Sequence, residues 1–63
     1  MTQKELLYME DAIGLEQNII KILNESLVIL EDENLVSFME KEVKKHGDTL
    51  KELLSMMEAK SNE

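Results

Sequence analysis

The sequence predicts an all-α fold, an antiparallel two-helix hairpin that pairs with a second copy to complete a four-helix bundle. Three observations predict it. Apolar residues recur in steps of three and four along two stretches that are broken once, at Glu31-Asp32-Glu33-Asn34. The apolar face of the first stretch is too wide for a single neighbour. With 63 residues and no cysteine, the chain has little core of its own and no covalent staple, so a second subunit is the natural completion.

The first helix is expected over about residues 3–30. Thr2 followed by Glu5 has the spacing of a capping box, in which a hydroxyl and a carboxylate each satisfy a free amide at a helix start. Leu6, Met9, Ile13, Glu16, Ile20, Leu23, Leu27 and Leu30 then form a seam with alternating steps of three and four, and Glu16 alone breaks its apolar rule. Beside it runs a second stripe of Tyr8, Ala12, Leu15, Ile19, Ile22, Ser26 and Ile29. Together the stripes cover roughly 160° of the helix, enough for one partner in the same chain and one in another.

The turn falls at 31–34, where Asp32 can cap a second helix, expected over about 33–60, whose first turn carries acids near its positive dipole end. On that helix Val36, Met39, Val43, His46, Leu50, Leu53 and Met57 make the seam, with Leu35, Phe38, Thr49, Leu54 and Met56 alongside and lysines on the outer side or at the end. No segment sustains the period-two alternation of a strand. Gly14 and Gly47 stand alone inside helical patterns, each costing roughly 1 kcal/mol relative to Ala.

Composition narrows the function classes. Seven lysines, no arginine and fourteen acids give a formal charge of −7, which repels phosphate backbones and argues against a nucleic-acid partner. No apolar run approaches the roughly 20 residues of a membrane span, and the acids in the first apolar stretch do not fit a signal peptide. The cysteine-free composition gives no sign of an oxidising compartment, so a cytoplasmic protein is expected. Five methionines and Tyr8 read as core filling.

The chemistry-bearing residues are Glu16 and His46, the ionisable members of the two seams, with Glu42 one turn before His46 on the adjoining edge. Measured from the turn, Glu16 and His46 lie at similar heights, so they can meet directly or through water or a metal. A carboxylate among aliphatic side chains must be paired, protonated, ligated or at a wet end of the bundle. A register-fixing Glu16–His46 pair, a metal site, and an open-end position for Glu16 are the three readings left open. Nothing here resembles a nucleophile–base pair or a glycine-rich phosphate loop, so no catalytic residue is assigned and an enzyme is not expected.

The segments Ala12-Ile13-Gly14-Leu15-Glu16-Gln17, Asn34-Leu35-Val36-Ser37-Phe38-Met39, Glu42-Val43-Lys44-Lys45-His46 and Leu50-Lys51-Glu52-Leu53-Leu54 resemble the ferritin-like superfamily, in particular its rubrerythrin-type and spore-coat-type members. That resemblance implies a four-helix bundle assembled from helical hairpins, with iron or manganese held by a glutamate of one helix and a Glu-x-x-His of the next. Glu16 and His46 match two of those ligands. Val43 stands where the bridging glutamate is expected, and Glu42, four positions before the histidine, is displaced around the helix by roughly 100°. The resemblance therefore implies a degenerate, non-enzymatic ferritin-like homodimer with a structural or protein-interaction role and no cofactor. The alternative is an iron- or manganese-binding bundle using Glu16, Glu42 and His46 from two chains. Small sporulation regulators are also short acidic hairpins, but their Ser-x-x-x-Asp motif is broken here, since Lys41 follows Ser37 by four.

Overall fold

The computed structural model describes residues 1–61. Two helices, α1 (Gln3–Ile29) and α2 (Glu33–Ser61), pack antiparallel into a rod of 47 × 15 × 12 Å, and there is no strand among the described residues.

Each helix starts where a side chain can take up its free amides. Thr2 is extended, its hydroxyl accepts the Glu5 N–H at 3.1 Å, and the Glu5 carboxylate accepts the Thr2 N–H at 2.8 Å, which completes the capping box. At the other end of α1, Leu30 leaves the helix in an extended conformation, while its N–H still donates to the Ser26 carbonyl at 3.1 Å. The connection is therefore shorter than the acidic run. Asp32 caps α2 through its carboxylate, which accepts the Leu35 N–H at 2.9 Å, so Glu33 and Asn34 already lie in the first helical turn. Three linking residues leave α2 no course but back along α1.

The two seams meet along the rod. Leu6, Met9, Ile13, Glu16, Ile20, Leu23, Leu27 and Leu30 are covered at least in part by Val36, Met39, Val43, His46, Leu50, Leu53 and Met57, all of them half-buried except Ile13. Ile13, 8% exposed, is the one fully buried residue among those described. A single layer of side chains between two rods shields each residue from one direction only.

The second stripe of α1 has a different environment. Tyr8, Leu15, Ile22 and Ile29 recur every seven residues and are between 52% and 78% exposed, although Ala12, Ile19 and Ser26 between them are half-buried. With Leu6 and Val36 at heptad position a and Met9 and Met39 at d, this stripe falls on c and g, as do Leu35, Phe38 and Met56 of α2. Antiparallel helices bring g beside g, so these exposed apolar residues share one broad side of the hairpin. The other side is mainly polar, with Glu10, Gln17, Lys21, Glu40 and Lys44, and holds the scattered apolar residues Leu7, Val28 and Leu54.

The accessible surface reflects this. At 5056 Å² it exceeds the roughly 4,200 Å² expected of a self-contained monomer of 7.3 kDa by about 900 Å².

Candidate functional site

Glu16 and His46 meet at the middle of the rod. Glu16 occupies the seam one turn after Ile13 and one before Ile20, and His46 lies between Val43 and Leu50 on the facing helix. Both are half-buried by these aliphatic neighbours, with 16% and 25% of their side chains exposed. His46 Nδ1 lies 2.6 Å from Glu16 Oε2, a short hydrogen bond of the charge-assisted kind. The opposite ring nitrogen, Nε2, faces Glu42 Oε2 at 3.5 Å, an (i, i+4) approach along α2.

The imidazole is thus held between two carboxylates supplied by different helices. A neutral ring has one N–H and can donate to only one of them, whereas an imidazolium donates to both. Glu16 has no partner but His46 among the described residues, while His46 has two. The arrangement therefore links the helices at one height, and a shift of one seam along the other would separate Glu16 from its partner.

This geometry brings together all three candidate residues, Glu16, Glu42 and His46, but does not converge them on one point. Ligands of a single ion must share a centre, and here the two glutamates approach opposite nitrogens of the ring. Within one hairpin only one of them can share an ion with His46. Among the described residues no group of three His, Cys, Asp or Glu side chains is arranged to hold a metal ion.

Several further polar contacts are local to one helix. Lys44 pairs with Asp48 at 3.3 Å on the exposed side of α2, and the hydroxyls of Ser26 and Thr49 donate back to the carbonyls of Ile22 and Lys45. Lys41, Lys44, Lys45, Asp48, Thr49 and Glu52 line a shallow, open depression of mixed charge. Lys4 lies 5.9 Å from the centre of the Tyr8 ring, so the tyrosine is a partly covered outpost of the exposed stripe. Among the described residues no helix is long and apolar enough to cross a membrane.

From the sequence Glu42 is a candidate third metal ligand beside the pair, and the structure sets its carboxylate against His46 Nε2. The signal was available in the (i, i+4) spacing to His46, which puts a carboxylate against the ring nitrogen that the facing helix leaves unengaged. Compared with models of protein families, with curated proteins and with solved structures, the chain matches none.

Proposed function

We propose that this chain is a non-enzymatic association module, half of a four-helix bundle that a second copy completes, and that its role is structural or protein-binding rather than catalytic. The observation that carries this reading is the exposed heptad stripe Tyr8, Leu15, Ile22 and Ile29. Large patches of this kind mark interaction surfaces. The excess surface of about 900 Å² is close to the roughly 800 Å² that each partner contributes to a standard interface. In this reading Glu16 and His46 fix the register of the hairpin, and the likeness to a degenerate ferritin-like, spore-coat-type protein is part of the proposal.

Sedimentation equilibrium of the wild type beside a Leu15→Glu/Ile22→Glu variant tests it. The wild type is expected at twice the 7.3 kDa chain mass. The variant, altered at two exposed positions, is expected to lose association by 100-fold or more. A wild type at the chain mass throughout the micromolar range contradicts the proposal.

A second reading, iron or manganese held by Glu16, Glu42 and His46 from two chains, draws support from the position of Glu42. It lies at g, on the side of the hairpin that a second copy would cover, so an ion between subunits could combine groups that do not converge within one. Anaerobic ferrous and manganous titrations of protein purified without chelator test this. Binding that Glu42→Gln and His46→Gln each abolish supports it, and absence of saturable binding ends it.

A further inference from the structure

We infer that the second copy docks with its first helix antiparallel to α1, Ile19 beside Ile19 of the partner subunit, so that the two loops lie at opposite ends of the bundle. This rests on the dimer proposed above and specifies its geometry. Three observations carry it.

The first is that the exposed side of the hairpin is apolar from end to end in one helix only. The c and g positions of α1 read Tyr8, Ala12, Leu15, Ile19, Ile22, Ser26 and Ile29, a second complete seam with steps of four and three and no charge from end to end. The same positions of α2 read Leu35, Phe38, Glu42, Lys45, Thr49, Glu52 and Met56, apolar at both ends and charged through the middle. If the loops lay at the same end with α1 packed on the partner's α2, Leu15, Ile19 and Ile22 would cover Glu42 and Lys45 with aliphatic groups alone, at a desolvation penalty. With the loops at opposite ends, α2 faces the partner's α2 and each Glu42 comes beside a Lys45 across the axis. The fully apolar counterpart that a copy of this chain offers to α1 is α1 itself.

The second is the shape of that seam. Ile19 is its central member, flanked symmetrically by Leu15 and Ile22, then by the small residues Ala12 and Ser26, then by Tyr8 and Ile29. A two-fold axis across Ile19 therefore stacks large residues in the middle, where the interface is best shielded, and lets the helices approach closely on either side. The contact is isologous, as a closed dimer requires.

Charge is the third. The first half of α1 carries Glu5, Glu10, Asp11 and Glu16 against Lys4, and the second half carries only Lys21 and Glu25. A parallel α1 pair would set the two acidic halves side by side and align the helix dipoles. An antiparallel pair sets each acidic half against a neutral one and opposes the dipoles.

Glu31 lies in the exposed loop, and the chain has no cysteine, so Glu31→Cys carries one spin label per copy without touching either seam. Dipolar distance measurement in frozen solution, with sedimentation of the labelled protein alongside, tests the arrangement. With the axis near Ile19 and a rise of about 1.5 Å per residue, the labels are expected about 40 Å apart. A dimer whose distances fall below about 25 Å has its loops together and overturns the antiparallel arrangement, while leaving the dimer proposal standing. A monomeric mass with no dipolar coupling overturns both.

Discussion

The two apolar stripes of α1 are almost equal in composition and opposite in circumstance. The stripe from Leu6 to Leu30 is covered by α2 and contains the buried Ile13, whereas Tyr8, Leu15, Ile22 and Ile29, about 100° around the same helix, face outward. One hairpin has one neighbour to offer, so it can satisfy one stripe. The inner stripe accounts for the folding of the hairpin, and the outer one is the surface that the proposed second copy would cover. Substitutions can separate the two.

The largest effect on stability is expected within the inner stripe. Ile13→Ala should cost about 3 kcal/mol, measured by urea denaturation at fixed protein concentration, because Ile13 is the residue most enclosed by the facing helix. Ile29→Ala, on the outer stripe and beside the loop, should cost far less at the same concentration. Equal losses would erase the distinction between the stripes.

Next come the two polar seam residues, whose removal should be unequal. His46→Leu leaves the Glu16 carboxylate in an aliphatic seam without its partner and should cost about 2 kcal/mol. Glu16→Leu leaves His46 with Glu42 and fills the seam with apolar volume, and should raise stability by about 1 kcal/mol. A double-mutant cycle checks the coupling between them, and similar losses from both single substitutions would contradict the asymmetry.

A smaller gain is expected from Gly47→Ala. A Cβ built at Gly47 or Gly14 meets nothing within 4 Å, so removing the glycine's helix penalty should stabilise α2 by up to about 1 kcal/mol, read as a shift in denaturation midpoint.

The smallest effect concerns acid. The Thr2 N–H, donated to the Glu5 carboxylate and assisted by the Thr2 hydroxyl, holds Glu5 below its ordinary value of 4.5. A depressed folded value means that the contribution is present above the unfolded value and is lost as pH falls through the folded one. Glu5→Gln should therefore flatten stability slightly below about pH 4.5, with little change at neutrality, in thermal melts over that range.

Much of the fold was legible in the sequence, for reasons seen at particular residues. Seam periodicity identified the residues that the two helices now cover, and Thr2, Glu5 and Asp32 marked the helix starts because capping is chemistry between near neighbours in the chain. Glu16 and His46 could be brought to the same height by counting from the turn. The orientation of the imidazole could not, because which nitrogen faces Glu16 and which faces Glu42 depends on rotamers chosen by packing across two helices. The exposure of Tyr8, Leu15, Ile22 and Ile29 was equally hidden, since a wide apolar face does not say which of its stripes the facing helix covers.

Whether one hairpin is enough is tested most directly by thermal unfolding at a series of protein concentrations. If a second copy completes the bundle, 100-fold dilution should lower Tm by about 10 °C, given roughly 0.7 kcal/mol of unfolding enthalpy per residue in the dimer. A Tm that does not move with concentration, in a protein sedimenting at the chain mass, would contradict it.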